Sequence, residues 1–230
     1  MASIAVTSSG GGYRAAIFGL GVLLYLVDAG KNREVTSISS VSGGSITNAF
    51  VAQLHGYHRR TSPDFWPAVA PLAKTTAHKT LWLTPITWAY LTLLRGIGIM
   101  YDNSSSLRMQ ALVQQFRSRQ HLVGALVYIE QRPYDIPEAY AKGDSPSSRR
   151  AHAVLKRLRD SQAEWRAISR QNMRVKTTLS RLGPEVTARL LRHGYVLAMA
   201  NLHVVLDFPL VEIPETAKFM ELVTSSKDPM

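Results

Sequence analysis

Two short stretches of small residues carry what this chain can do chemically. Gly10-Gly11-Gly12 follows a strand-like run and opens into a helix-like one, and Ser40-Val41-Ser42-Gly43-Gly44 stands in the same setting further on. A glycine run between strand and helix leaves bare N–H groups aimed outward at the helix N-terminus, where they suit an anion or a developing oxyanion. A serine on a sharp strand-to-helix turn, with small residues two positions to either side, presents its hydroxyl as a nucleophile. Here those flanking residues are Ser40 and Gly44. In this order the stretches supply the two halves of an acyl-transfer site: oxyanion donors from Gly10, Gly11 and Gly12, and the nucleophile Ser42. The plainer readings are a structural glycine turn and a serine that N-caps the following helix.

Other chemistries fit less well. Gly10, Gly12 and Ala15 match the dinucleotide pattern G-x-G-x-x-A, but a ribose-holding acid is wanted at the end of the second strand, where Ser39-Ser40-Val41-Ser42 stands instead. Ser42, Asp135 and His193 have the chain order of a hydrolase triad, yet His193 follows Arg192 within a helical pattern, where a lone histidine belongs to the core or the surface. His203 sits in an apolar helix and reads as a core histidine. His58-Arg59-Arg60 reads as solvated surface. There are no cysteines, which excludes disulfides, thiolate nucleophiles and cysteine zinc sites. No His, Asp or Glu spacing suggests a metal, and the site needs no cofactor.

The elements that must position these residues follow from periodicity. Residues 3–7 alternate as a strand. From residue 13 to 29, Ile17, Leu20, Leu23, Leu24 and Val27 fall at helical spacing, and Gly30 stands where a C-cap glycine belongs. Residues 35–41 read as a second strand. Residues 44–54 read as a helix with Ile46, Phe50, Val51 and Leu54 on one face. This β-α-β-α order implies parallel strands and a right-handed crossover. Residues 57–79 mix Pro, Trp and basic residues without a clear period. Residues 104–120 predict a helix, 122–129 a strand, 132–148 a loop or linker, and 149–170 one basic amphipathic helix. Gly183-Pro184 marks the start of a helix reaching about Leu206, and Pro209 and Pro214 end regular structure. No repeat and no low-complexity segment is present.

The composition is that of a globular chain of 230 residues, with 46% apolar and 19% charged residues. The net charge of +11 favours negatively charged partners, nucleic acid or anionic lipid. No nucleic-acid motif and no stacking platform of interleaved aromatic and basic residues is present, so nucleic acid is not expected. The apolar stretch from Thr80 to Leu94 is short for a membrane span and is interrupted by Pro85. Its plain reading is a core element or a cap over the site. The sharper one is peripheral contact with a membrane through Trp82, Trp88 and Tyr90, residues of the kind that settle at headgroup depth. No basic n-region precedes an apolar stretch at the N-terminus, which reads as a cytoplasmic product.

The start of the chain resembles the patatin-like phospholipases, and the stretch Ser-Gly-Gly-Gly-Tyr-Arg-Ala also resembles the catalytic domain of cytosolic phospholipase A2. The family pattern is a G-G-G-x-[KR]-G loop followed by G-x-S-x-G. Gly10, Gly11, Gly12 and Arg14 match the loop, with Ala15 in place of its last glycine. Ser42 and Gly44 match the elbow, with Ser40 in place of its first glycine and Gly43 between them. The resemblance implies an α/β fold with a three-layer parallel-sheet core and a helix-rich C-terminal half. It also implies a serine acyl hydrolase, a phospholipase or lipase, working through a Ser–Asp dyad, with Arg14 supporting the oxyanion loop. On this reading residues 1–125 form the patatin-like core, and residues 126–230 a linker and helical region packed on it. The family's aspartate lies in a D-G-G or D-G-A motif, and no Asp-Gly occurs here. Asp102 reads as an N-cap, and Asp207 lies beyond the position of the dyad. The order of elements suggests an internally shortened patatin-like chain with its joint near residues 118–124. Its alternative role is a catalytically inert remnant that binds a lipid surface or a partner.

Overall fold

The structure, a computed structural model, describes residues 3–80, 114 and 123–224. The apolar stretch with Trp82, Trp88 and Tyr90, the residue Asp102 and the helix expected over 104–120, Gln114 excepted, lie outside the described residues. Residues 1–80 and 126–230 form one compact unit, and residues 81–125 another.

Strand β1 (Ile4–Ser8) turns at the glycine run into helix α1 (Gly12–Asp28). A 3-10 turn, Lys31–Glu34, leads into β2 (Val35–Ser40), which turns into α2 (Gly43–Gln53). The strands pair in parallel, with Val6 opposite Ile38 and Ser8 opposite Ser40. A parallel pair needs a crossover, and α1 supplies it. Among the described residues the sheet has these two strands, so the fold is mixed α/β with helix predominating. Gly30 takes the left-handed conformation, φ 66°, just past the end of α1, as its position in the sequence predicts.

The irregular-looking residues 57–79 contain a helix of 17 residues, α3 (Ser62–His78). Its prolines hide it from sequence reading. Pro63 stands in the first turn, where its missing N–H has no helical acceptor. Pro67 and Pro71 follow at four-residue steps, so the carbonyl each leaves unbonded belongs to the proline before it. All three lie exposed or half-buried, while Phe65, Trp66, Val69, Leu72 and Ala73 on the other side are buried. The strand expected over 122–129 is absent: the described residues 123–128 carry no regular structure. Side chains serve their backbone instead, with Asn201 Nδ2 donating to Leu126 O and Tyr128 N donating to Gln131 Oε1. The expected linker at 132–148 holds a short helix, α4 (Asp135–Tyr140), beside the buried Tyr134. The single basic helix divides into α5 (Pro146–Leu158), a 3-10 turn at Arg159–Ser161, and α6 (Gln162–Met173). Helix α7 (Pro184–Leu206) matches its prediction at both ends. A last helix, α8 (Thr216–Thr224), follows the two prolines that read as the end of regular structure.

Helices α1 and α7 form the centre. A β-carbon at Gly21 would run into the Leu191 carbonyl, and one at Gly194 into the Phe18 carbonyl, so the two backbones touch with no side chain between them. Around that crossing Leu20, Leu24, Leu190, Leu191 and Val196 are fully buried, each worth about 1.5–3 kcal/mol of transfer free energy. Trp66, Tyr195 and Phe219 pack ring to ring. Asp28 at the end of α1 accepts from Trp66 Nε1 at 2.9 Å and Tyr195 OH at 2.7 Å. No helix among the described residues is long and apolar enough to cross a membrane.

Candidate active site

Sheet hydrogen bonding runs right up to the serine and helical bonding starts right after it. Val41 N donates to Ser8 O at 3.1 Å, extending the β ladder by one step. Ser45 N donates to Ser42 O at 2.9 Å, the first bond of α2. In between, Gly44 N donates to Val41 O at 3.1 Å and closes a four-residue turn. Ser42 occupies the second position of that turn at φ 51°, ψ −121°. These angles are those of a type II′ turn, a conformation ordinarily left to glycine. A side chain held there costs on the order of 1–3 kcal/mol. The hydroxyl does not offset this by capping: Ser42 stands at the N-cap of α2 and makes no side-chain cap bond. Ser42 is exposed, and its side chain has no hydrogen-bond partner among the described residues.

The two small-residue stretches meet at their backbones. A β-carbon at Gly44 would lie 2.7 Å from Ser8 Cβ and 2.8 Å from Ser9 O. One at Gly43 would enter the peptide of Gly12, 2.6 Å from its nitrogen. A β-carbon at Gly10 would stand 3.0 Å from Ser42 Cβ and 3.5 Å from Ser42 Oγ. The glycine loop therefore lies beside the free hydroxyl. The amides of Gly10, Gly11, Gly12 and Gly43 donate to no acceptor among the described residues. Gly12 and Gly43 head their helices, where the first N–H groups lack an internal partner. Ser40 carries a bond of its own: Asn48 Nδ2 donates to its Oγ at 2.9 Å and to Ile38 O at 3.1 Å, fixing α2 against β2. Thr47 Oγ1 donates to Ala16 O at 2.6 Å and ties α2 to α1.

A third segment borders the glycine loop, and sequence reading gave no hint of it. Residues 174–183, between α6 and α7, form a strap across the start of α1. Thr178 O accepts from Tyr13 N at 2.8 Å and lies directly against Gly12. Arg14 Nη1 donates to Val175 O at 2.9 Å. Arg14 thus braces the strap on the loop, and its bond runs to a carbonyl. The far end of the strap is held by Leu182 N on Thr76 O and Gly183 N on Ala77 O, both at 3.0 Å.

The carboxylates have other attachments. Asp28 is held by Trp66 and Tyr195. Asp135 accepts from Arg132 N and Nε, both at 2.7 Å. Asp207 ends α7 at φ 60°, exposed and 3.5 Å from Arg150. No carboxylate among the described residues is hydrogen-bonded to Ser42. His193 is fully buried on α7. Asn172 Oδ1 accepts from Arg189 Nε at 2.8 Å, so its amide nitrogen faces His193 Nδ1, 3.0 Å away. The ring proton then sits on Nε2, which donates to Gln131 O at 3.0 Å. Burial pushes this imidazole down to about 4, with the Arg189 charge adding to the effect. The triad order of Ser42, Asp135 and His193 therefore corresponds to no hydrogen-bonded triad: histidine and aspartate are each bonded within other parts of the fold. His203 Nδ1 lies 2.6 Å from Phe208 O at the end of α7. Of the basic cluster at 58–60, Arg60 is not simply solvated, because its guanidinium donates to Leu54 O at 2.6 Å. No group of three metal-ligating side chains occurs among the described residues.

No protein-family model matches the chain, and neither the curated proteins nor the solved structures yield a match.

Proposed function

We propose that this chain is a serine acyl hydrolase of patatin type acting on lipid acyl esters, with Ser42 as nucleophile. The observation that carries the reading is the backbone of Ser42: a strained, uncapped turn holds an exposed hydroxyl beside glycine amides that have no acceptor among the described residues. Strain of about 1–3 kcal/mol with no local bond to offset it is the mark of a position kept for function. In the reaction Ser42 Oγ attacks the ester carbonyl, and its proton passes to a general base. The amides of Gly10, Gly11, Gly12 and Gly43 receive the charge on the carbonyl oxygen. The alcohol leaves, and water hydrolyses the acyl-enzyme. The two-stranded sheet is, on this proposal, what remains of a three-layer patatin-like core. Peripheral contact with a membrane from the cytoplasmic side, through Trp82, Trp88 and Tyr90, belongs to the same reading.

One observation favours a second reading. No carboxylate among the described residues is hydrogen-bonded to Ser42, and without a base a serine hydroxyl attacks esters slowly. The second reading is an inert, internally shortened patatin-like chain that binds a lipid surface or a partner. Incubation with a fluorophosphonate, and turnover of a short-chain ester, separate the two. Labelling at Ser42 with ester turnover that vanishes in Ser42→Ala supports the hydrolase. No labelling and no turnover, together with binding to anionic vesicles, supports the inert chain.

A further inference from the structure

The strap at residues 174–183 has a composition unlike its surroundings. It reads Arg-Val-Lys-Thr-Thr-Leu-Ser-Arg-Leu-Gly, with Arg174, Lys176 and Arg181 and no acid. All three cations are exposed, and none is in an ion pair among the described residues. The nearest acid along the chain is Glu185, on the first turn of α7, and its field falls on Arg189. The strap is also fixed to the site by backbone. Thr178 O receives Tyr13 N and abuts Gly12, Gly12 abuts Gly43, and Gly43 adjoins Ser42. Ser180 N donates to Thr178 Oγ1 at 3.0 Å, which holds the bend between Lys176 and Arg181. Arg14, bonded to Val175 O, adds a fourth positive charge beneath the strap.

We infer that this strap is the specificity wall of the Ser42 site and that Arg174, Lys176 and Arg181 select esters carrying a negative charge near the scissile bond. The inference rests on the proposed role of Ser42 as an acyl nucleophile. An anionic group on the substrate, such as a phosphodiester or a carboxylate, meets three cations that form no ion pair among the described residues, on a strap that touches Gly12, which in turn lies against Gly43, the neighbour of Ser42. An ester with no negative charge near the scissile bond gains nothing from them. Because the cations are exposed, the selection acts through screened fields and falls with added salt.

The test uses two fluorophosphonates of equal length on the full chain, one with a neutral alkyl tail and one ending in a carboxylate. In each case Ser42 Oγ bonds to phosphorus, fluoride leaves, and the serine proton goes to solvent or base. The rate of Ser42 modification is followed by mass spectrometry in the parent chain and in the triple variant Arg174→Gln, Lys176→Gln, Arg181→Gln. In the parent chain the carboxylate probe reacts roughly fivefold faster than the neutral one at 10 mM salt, and the advantage shrinks to about twofold at 0.1 M. In the variant the ratio falls to about one at both salt concentrations, while the neutral probe reacts at the parent rate, which also reports an intact site. A carboxylate-to-neutral ratio that is the same in parent and variant overturns the strap's role and leaves the nucleophile standing. Failure of the neutral probe to modify Ser42 in the parent chain overturns both.

Discussion

Replacing Ser42 by alanine and by glycine separates a strained nucleophile from a helix cap. At φ 51°, ψ −121° any β-carbon is strained, so alanine keeps the cost that serine bears. Serine forms no cap bond for alanine to lose. Ser42→Ala should therefore change stability by less than about 0.5 kcal/mol, whereas an ordinary Ser N-cap loses about 1 kcal/mol. Glycine removes the strain, a gain of about 2 kcal/mol, and returns about 0.7 kcal/mol through the greater freedom of its unfolded chain. Ser42→Gly should thus be about 1 kcal/mol more stable, raising Tm by about 2–4 °C in a chain of this size. Urea unfolding and thermal melts of the three proteins measure both numbers. An alanine variant weaker by 1 kcal/mol or more, with a glycine variant no better than the parent, would show that Ser42 is a cap and that the nucleophile argument fails.

Three further outcomes follow from the packing. Gly43→Ala sets a methyl group inside the Gly12 peptide, and it should cost at least about 2 kcal/mol and abolish fluorophosphonate labelling. Retention of both parent stability and labelling would show that the two turns are not in backbone contact. Asp28→Ala strips the buried Trp66 indole and Tyr195 hydroxyl of their acceptor. It should cost about 2 kcal/mol and shift tryptophan emission; an unchanged unfolding midpoint would contradict this. His193 is held neutral, its pKa lowered from 6.5 to about 4, so its stability contribution is complete above pH 6.5 and drains away as pH falls toward 4. Between pH 7.5 and pH 5 this group alone should remove about 2 kcal/mol. Urea titrations at both values should show the loss in the parent chain and a smaller loss in His193→Gln; equal losses would assign the acid sensitivity elsewhere.

The first 54 residues read well from sequence because local rules and tertiary packing agree there. Alternation gave β1, helical spacing gave α1, and Gly30 marked the end of α1. The long helix α7 was legible for the same reason, with Pro184 at its first turn and an apolar second half. Helix α3 was not, because its prolines are individually helix breakers and only their four-residue spacing makes them compatible. The strand expected at 122–129 failed because an apolar run carries no information about its hydrogen-bond partner, and here side chains fill that role. At the site, the motif residues were legible but their neighbours were not. Gly43 as a free amide, Asn48 as the brace on Ser40, and Val175 and Thr178 as the wall on the glycine loop depend on contacts across 8 to 166 residues of chain. No local pattern encodes such a distance.

The stacking of Gly43, Gly12 and Thr178 has a consequence for the order in which the protein is made. Both motifs stand at the ends of β1 and β2, which pair in parallel, and both precede the strap along the chain. The strap that rests on Gly12 comes 166 residues further along the chain, at Thr178. Until then the start of α1 lacks the carbonyl that fills it and Arg14 lacks the Val175 oxygen that it binds. The glycine loop and Ser42 are thus made before the segment that borders them. The start of α1 is complete only once residues 174–183 have docked on it.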